Sequence, residues 1–146
     1  AQDLLQLIKV NIRNTDFFFQ VAAVFDYKVS QSFKGKLSSD SPVNLKLIPQ
    51  MKIVDQLKKL SPKIILVALK AEYDLGEKRL IEEGIKKLKE SKADFVVAND
   101  ISRPDRGFES EDNEVYIISK NKSVKKIPLT SKKEVAKQII DCLSSS

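Results

Sequence analysis

Apolar residues recur with a helical period in four parts of the chain. In residues 1–12 they fall close to one face of a helix, the spacing of an amphipathic helix. A short helix is predicted next, and it ends at Ser61 because the residue before a proline disfavours the helical conformation. The helices predicted in this way cover residues 1–12, 51–60, 74–90 and 131–143.

Two of these helices begin with a capping sequence. Ser131 is followed three residues later by Glu134, which is a full capping box, and Asp74 followed by Glu77 is a variant of it. After Ser131 the apolar stripe of the closing helix is formed by Val135, Ile139, Ile140 and Leu143. Both sequences predict that a helix starts at the capping residue.

Other apolar stretches have the length and composition of β-strands. Residues 16–27 contain a β-rich apolar run, and we predict a central strand there that is buried on both faces. Residues 43–48 alternate apolar and polar side chains, the period of a half-exposed strand. The remaining predicted strands are 64–69, 93–98 and an antiparallel hairpin of 115–119 with 124–129 around Asn121.

The order of these elements predicts the fold class. Strands that alternate with helices pair in parallel through right-handed crossovers, so we predict an α/β, Rossmann-like, mostly parallel sheet with helices on both faces and an antiparallel extension. A chain of 146 residues fits a single domain, 1–146. Ligands of such sheets lie at the carboxyl ends of the strands, which here are the loops after Val24, Val67 and Val97.

The composition excludes several kinds of chemistry. The chain has no histidine, so it cannot build a catalytic triad, an imidazole base or a His-ligated metal site. Cys142 is the single cysteine, which rules out an intramolecular disulfide, a CxxC pair and a multi-cysteine zinc site, and a cytosolic compartment is expected. The four glycines form neither GxGxxG nor a Walker motif. We predict no protein-borne metal site.

The net charge of +6 permits a polyanionic partner. Nucleic acid is one alternative, but the densest lysines, in residues 120–137, adjoin an acidic stretch in residues 105–114. This mixture favours a solvated surface on which local lysines serve a small phosphorylated substrate. No apolar run approaches the roughly 20 residues that cross a bilayer, and no membrane or nucleic-acid partner is predicted.

Three segments resemble the phosphopantothenate–cysteine ligase family in order and spacing. Residues 22–27 are similar to the family's Ala-Ala-Val-x-Asp-Tyr segment, and Lys34-Gly35-Lys36 falls where the family has a Lys-Ile-Lys run. Residues 69–72 are similar to the Phe-Lys-Leu-Glu version of its nucleotide loop, although Leu69 and Ala71 depart from it. The third segment, an Ala-Asn-Asp … Gly-Phe-x-Ser-x-x-Asn-x-Val block, is reproduced by residues 98–100, 107–110 and 113–115, and Lys126-Ile127-Pro128-Leu129 with Ser131-Lys132 follows as in the family.

Each segment also has an ordinary interpretation. Small and branched residues such as Ala22 to Val24 suit any buried strand, Asp26 suits a turn, and Asn99 and Asp100 bond readily to local backbone. Phe108 could fill space beneath a long loop. The occurrence of all three segments in order is what favours the family.

The resemblance implies an activity and its site. In the family, the carboxylate of 4′-phosphopantothenate attacks the α-phosphate of CTP or ATP, with Mg²⁺ expected, and the amine of cysteine then displaces the nucleotide to form an amide. Lys87 is implied as the catalytic residue that contacts the triphosphate. The nucleotide-binding residues implied are Leu69, Lys70, Ala71, Asn99, Asp100 and Phe108, and the substrate-binding residues are Ala23, Asp26 and Lys36.

Helical geometry supports Lys87 independently of the family. At about 100° per residue, Lys87 lies at the border of an apolar stripe on the 74–90 helix, whereas Lys89 lies further towards solvent. A border lysine can reach an adjacent pocket, although it could also be merely solvated. Lys70 could contact phosphate or base from its loop, and Asp100 is the carboxylate expected to contact a metal ion or the ribose.

The resemblance also implies what else the enzyme needs. Family members carry, upstream, a strand and a glycine- and serine-rich turn that nothing here matches, so a fragment without complete activity alone is expected. FMN is expected only if a decarboxylase domain is fused upstream. The rival hypothesis is a non-catalytic Rossmann-like module that needs a partner segment. We also expect a homodimer, paired through residues 43–48 and their neighbours.

Overall fold

The computed structural model describes residues 2–31, 35–36, 39–40 and 42–144, which contain four α-helices and seven β-strands. A short 3-10 helix, Ile12–Asn14, follows the first α-helix. The helices are α1 (Gln2–Asn11), α2 (Val54–Leu60), α3 (Gly76–Ser91) and α4 (Lys132–Ser144). The strands are β1 (Phe17–Gln20), β2 (Tyr27–Val29), β3 (Leu47–Pro49), β4 (Ile65–Glu72), β5 (Phe95–Asp100), β6 (Asp112–Ser119) and β7 (Val124–Ser131).

Five of the strands form one mixed sheet in the order β1-β4-β5-β6-β7. The first three run parallel, as strands joined by helices do, whereas β6 and β7 continue the sheet antiparallel. β2 and β3 form a separate antiparallel ribbon. The predicted α/β class, its parallel core and its antiparallel hairpin are therefore confirmed.

Helices cover both faces of the five-stranded sheet. On one face α1, α2 and the end of α3 pack against β4 and β5, around the fully buried Leu57 and Leu66. On the other face α4 packs against β5, β6 and β7, around Ile117 and Ile127. α3 lies close to β6 because Gly84 has no side chain: a Cβ there would lie 2.2 Å from the Cδ1 of Ile118.

The prediction of a central strand over residues 16–27 is wrong in both length and place. β1 has four residues and, among the described strands, pairs only with β4, so it lies at the end of the sheet. The chain turns out of the sheet at Val21, whose N–H donates to the carbonyl oxygen of Phe19 at 3.0 Å. The apolar residues that follow line a cavity, although Val24 also packs against the core, and both environments select the same residue types.

Two shorter predictions also need correction. β3 begins at Leu47 and not at residue 43, because the ladder with β2 extends only from Leu47 to Pro49. Asp74 does not cap α3: it is left-handed, with φ of 55°, and its N–H donates to the Oδ1 of Asp100 at 3.1 Å. By contrast, Ser131 accepts the Glu134 N–H at 3.3 Å, as its capping box predicts.

The helices in the described ranges are all too short or too polar to cross a membrane. Lys34, part of the predicted Lys34-Gly35-Lys36 match, falls outside the described residues.

Candidate functional site

A cavity of about 480 Å³ opens at the carboxyl ends of β1 and β4. Its walls are the loop after β1, the start of α2, the end of β4 and one face of α3, and Asn99 and Phe108 complete it. The location is the one that parallel α/β sheets use for ligands, since several strand ends and their loops meet there.

Most of the side chains predicted for the site meet in this cavity. Eight of the ten predicted site residues line it: Ala23, Asp26, Leu69, Lys70, Ala71, Lys87, Asn99 and Phe108. Lys36 is exposed and does not line it, and neither does Asp100. The three segments that carry the family resemblance are far apart in the chain, and the fold brings all of them to one place.

Lys87 faces the cavity from the middle of α3. Its neighbour Leu88 is buried against the sheet, so Lys87 lies at the edge of the apolar stripe and is itself partly buried, while Lys89 is exposed. Desolvation lowers the pKa of Lys87 below its usual 10.5, opposed mainly by Asp55 and reinforced by Lys52. A partly desolvated ammonium group gains more from a nearby anion than one in bulk water does.

Asp55 lies on α2, directly after residues that line the cavity. Its Oδ1 atom is buried and has no hydrogen-bond partner among the described residues. An unpaired buried oxygen is costly, and a carboxylate in this position attracts the ammonium group of Lys87. Asp55 therefore partly offsets the desolvation of Lys87.

Lys70 lines the cavity from the end of β4, where it forms an ion pair. Its Nζ lies 2.6 Å from the Oε1 of Glu72, and both side chains are partly exposed. Such a pair is worth little in stability, so an incoming phosphate could replace the carboxylate at low cost. Across the parallel ladder, Ala71 lies opposite Asn99, which places the amide of Asn99 beside the same strand end.

Asp100 holds two loops together next to the cavity. Its Oδ1 accepts the N–H of Ser102 at 2.8 Å and the N–H of Asp74 at 3.1 Å. Burial raises the pKa of Asp100, but the hydrogen bonds from Ser102 and Asp74 outweigh it, so the pKa lies below 3.8. Contact between Asp100 and a ribose or a metal ion stays a prediction.

Phe108 stands at the rim on the loop between β5 and β6. The residue is 76% exposed although it lines the cavity. Gly107 precedes it with φ of 94°, a conformation that favours glycine, and a Cβ there would lie 3.3 Å from the Cα of Ile101. An exposed aromatic ring held at a cavity rim can stack on a flat ligand.

The wall that contains Ala23 and Asp26 is held by hydrogen bonds to its carbonyl oxygens, from Gln50 directly after β3 and from the Nε2 of Gln20 to Ala22 at 2.9 Å. The Nε2 of Gln50 donates to the carbonyl oxygens of Phe25 and Tyr27 at 3.2 and 3.3 Å, and the Gln50 N–H donates to the carbonyl oxygen of Asp26 at 2.7 Å. Behind this wall lies a smaller cavity of about 170 Å³. The wall is thus fixed by backbone contacts and not by a strand ladder.

Sequence reasoning missed several charged groups of the cavity. Glu83, Lys86 and Glu90 share the cavity face of α3 with Lys87, and their spacing of three and four residues could have revealed this. Lys52 carried no such signal, since its position depends on how α2 packs. Among the described residues, four ammonium groups and three carboxylates line the cavity, an arrangement suited to a polyphosphate that also carries other polar groups.

No group of three or more His, Cys, Asp or Glu side chains suitable for a metal ion occurs within residues 2–31, 35–36, 39–40 and 42–144. A Mg²⁺ ion usually needs only one or two carboxylates together with the phosphates of its nucleotide. Asp26, Glu83 and Glu90 are the carboxylates that line the cavity.

Comparisons with known proteins agree on one family. The family model described as "DNA/pantothenate metabolism flavoprotein C-terminal domain" matches residues 1–146. The "Coenzyme A biosynthesis bifunctional protein CoaBC" of Thermococcus kodakarensis is 34% identical over 143 residues, which cover 97% of this chain and 34% of that protein. The chain therefore spans about a third of the length of the curated relatives it matches.

Two solved structures share the fold. The DNA/pantothenate metabolism flavoprotein from Streptococcus pneumoniae superposes with a TM-score of 0.82 at 22% identity, covering 99% of this chain and 69% of that one. The C-terminal domain of a coenzyme A biosynthesis bifunctional protein CoaBC gives a TM-score of 0.72 at 28% identity, covering 99% of this chain and 63% of that one.

Proposed function

The chain belongs to the family of the DNA/pantothenate metabolism flavoprotein C-terminal domain, and from this premise we propose that it is part of a phosphopantothenate–cysteine ligase of coenzyme A biosynthesis. The ligase uses CTP or ATP to activate 4′-phosphopantothenate and condenses the product with cysteine. One observation carries the proposal: residues from all three segments that resemble the ligase family line a single cavity, which four lysines also line.

The proposed reaction has two steps. A carboxylate oxygen of phosphopantothenate attacks the α-phosphorus, the bond to the bridging oxygen breaks, and pyrophosphate leaves. The cysteine amine then attacks the acyl carbon, the nucleoside monophosphate leaves, and the amine loses a proton as the amide forms. Such phosphoryl chemistry depends mainly on positioning and on cations that offset developing charge, which suits a cavity without histidine.

Each lining residue has a proposed part in these steps. Lys87, partly desolvated on α3, offsets the charge of the triphosphate as pyrophosphate leaves. Lys70 exchanges Glu72 for a phosphate oxygen, while Leu69, Ala71, Asn99 and Phe108 surround the base and sugar. Ala23 and Asp26 contact phosphopantothenate. Lys36 is exposed outside the cavity, and its contact with the substrate stays a prediction.

The nucleotide is proposed to enter as its Mg²⁺ complex, so the ion is part of a substrate and not a resident group. The cavity carboxylates can take the sites that the phosphates and water leave open on the ion. FMN is part of this proposal only if a decarboxylase domain belongs to the same, longer polypeptide. The relatives are bifunctional proteins, which is compatible with such a second domain. A cytoplasmic location is proposed because Cys142 is the single cysteine, so no intramolecular disulfide calls for an oxidising compartment.

We also propose that the protein is a homodimer through the β2–β3 ribbon. Tyr27, Val29 and Leu47 are between 43% and 57% exposed there, and a short ribbon with exposed apolar side chains gains stability by pairing. Sedimentation equilibrium should give twice the chain mass. A monomer mass that does not change with concentration contradicts the dimer.

The ligase proposal is tested by product formation in the complete polypeptide. Phosphopantothenate, cysteine and either CTP or ATP are supplied with Mg²⁺, and phosphopantothenoylcysteine is measured by mass spectrometry beside pyrophosphate release. We expect both products, with one nucleotide preferred. Nucleotide binding without either product would favour the non-catalytic module, and absence of binding would refute the ligase proposal.

A further inference from the structure

A chain of charged side chains joins the loop of Phe108 to the rest of the fold. Arg106 is at its centre, and only 8% of its side chain is exposed. Its Nη1 donates to the Oε1 of Glu114 on β6 at 2.5 Å, and its Nε and Nη2 donate to the two carboxylate oxygens of Asp105 at 3.0 and 3.3 Å. Two carboxylates on one buried guanidinium group fix its position from both sides.

The chain of contacts continues from Glu114 to α3. The Oε2 of Glu114 lies 3.3 Å from the Nζ of Lys126, and Lys126 lies 3.6 Å from the Oε2 of Glu77. That oxygen also accepts a hydrogen bond from the hydroxyl of Tyr116 at 2.8 Å. Glu77 is in the first turn of α3, the helix that carries Lys87, so one network touches the loop, the sheet and the helix of the cavity.

The same loop is closed by further contacts on either side of Phe108. The hydroxyl of Ser110 donates to the carbonyl oxygen of Asp105 at 2.9 Å, and the Nζ of Lys132 donates to the carbonyl oxygen of Phe108 at 3.4 Å. The backbone on both sides of Phe108 is therefore held, while the residue itself stays 76% exposed. Holding an aromatic ring in place before a ligand arrives lowers the ordering cost of binding.

We infer that Arg106 is a positioning residue for the nucleotide, which clamps the β5–β6 loop to β6 through Glu114 and so holds the ring of Phe108 where a nucleobase stacks. The inference rests on the proposed function, because it needs a nucleotide in the cavity. It assigns Arg106 no contact with the ligand. We expect its effect to reach the base through Phe108 and not the phosphates, which are assigned to the lysines of β4 and α3.

The test separates the contribution of the base to binding from that of the phosphates. Binding of the nucleoside triphosphate and of inorganic tripolyphosphate, both with Mg²⁺, is measured by calorimetry for the parent, Phe108→Ala, Arg106→Gln and the double variant. Stacking of one base on an aromatic side chain is worth about 5- to 150-fold in affinity. We expect Phe108→Ala and Arg106→Gln each to weaken nucleotide binding within that range and to leave tripolyphosphate binding unchanged.

The double variant shows whether Arg106 acts through Phe108 or affects nucleotide binding independently of it. If Arg106 acts through Phe108, the double variant binds the nucleotide no more weakly than Phe108→Ala alone. Arg103→Gln is the matched control, because Arg103 also pairs with Asp105, at 2.9 Å, but its side chain is 60% exposed, and the arginine that binds Glu114 is Arg106. We expect the control to bind both ligands as the parent does.

Several results overturn the inference. The first is unchanged nucleotide affinity in Arg106→Gln, and the second is an equal loss of affinity for nucleotide and tripolyphosphate in that variant. The third is a double variant in which the affinity losses of the two single variants multiply. Hydrogen exchange checks the fold: Arg106→Gln should expose amides of residues 101–111 while those of β5 and α3 stay protected, and if it unfolds, Glu114→Gln replaces it with the same expectations. A parent that binds neither ligand refutes the proposed function itself, whereas a parent that binds tripolyphosphate as tightly as nucleotide refutes only the stacking role.

Discussion

The β6–β7 hairpin and the loop after β1 are both rich in apolar residues, yet their side chains have opposite environments. In the hairpin, Ile117, Ile118 and Ile127 are at most 2% exposed, and the two paired strands are each eight residues long. In the loop, Val21 is 66% and Phe25 is 85% exposed, and a few backbone contacts hold the chain. Apolar surface stabilises the fold in the first region and remains available to ligands or partners in the second.

The largest difference between the regions should appear in stability. Ile127→Ala removes a fully buried side chain next to α4, and we expect it to lower the free energy of unfolding by about 2 to 5 kcal/mol. Phe25→Ala, in the exposed loop, should change it by about 0.5 kcal/mol or less. Urea denaturation followed by circular dichroism measures both. Similar losses in the two variants would remove the distinction.

The cavity should show the opposite behaviour, a large effect on activity with little effect on stability. Lys87→Ala is expected to raise the barrier of the nucleotide-dependent step by about 2 to 4 kcal/mol, the range for removing a preorganised charge-stabilising group. The free energy of unfolding should hardly change, because the protein loses both the desolvation cost of the ammonium group and its attraction to Asp55. The measurement is pyrophosphate release by the complete polypeptide.

Lys89→Ala is the control for Lys87, since it lies on the same helix with an exposed side chain. Its rate should equal that of the parent. Equal rates for all three proteins would mean that Lys87 is only solvated, and the catalytic assignment would be lost.

A smaller effect should arise where α3 meets the sheet. Gly84→Ala gains about 1 kcal/mol of helix propensity but places a Cβ 2.2 Å from the Cδ1 of Ile118, and overpacking a core costs about 1 to 3 kcal/mol. We expect a net loss of up to about 2 kcal/mol in the free energy of unfolding. A more stable variant would show that Ile118 moves freely and that the close approach of α3 is not required.

The smallest expected effect belongs to Asp100, and it depends on pH. Because the folded-state pKa lies below 3.8, the carboxylate stabilises the fold above that pH, and the contribution disappears as pH falls through the lowered pKa. Asp100→Asn should therefore cost about 1 kcal/mol at pH 7, reduced by partial exposure, and less near pH 3. A difference between the two proteins that grows towards acid pH would contradict this sign.

The sequence could predict elements that bury a regular face. The 3.6-residue period of α3 and α4 and the run of β5 give their positions to within a few residues, because core packing selects those patterns directly. The error at residues 16–27 has a physical cause: a cavity wall selects the same small and apolar residues as a buried strand. Asp74 failed as a cap because α3 begins at Gly76, which places Leu75 at the N-cap position with no side-chain hydrogen bond. Asp74 instead donates its N–H to the distant carboxylate of Asp100, a contact that local sequence cannot reveal.

The candidate site was predictable where residue types carried a pattern. Ala71 and Asn99 follow from family-like segments at strand ends, and Lys87 follows also from its place on the helical wheel. Lys52 and Arg106 were not predictable, because their roles depend on how α2 packs and on which carboxylates surround the β5–β6 loop. Tertiary contacts and not residue types place these two side chains.

The central claim, that the cavity binds a nucleoside triphosphate, is tested most directly by titrating the isotopically labelled chain with CTP and with ATP, each with Mg²⁺, and following amide shifts by NMR. The account predicts saturable shifts centred on Ala71, Lys87, Asn99 and Phe108 for at least one nucleotide, with the turn at Asn121 unaffected. No shift at millimolar nucleotide, or shifts centred on that turn, would contradict it.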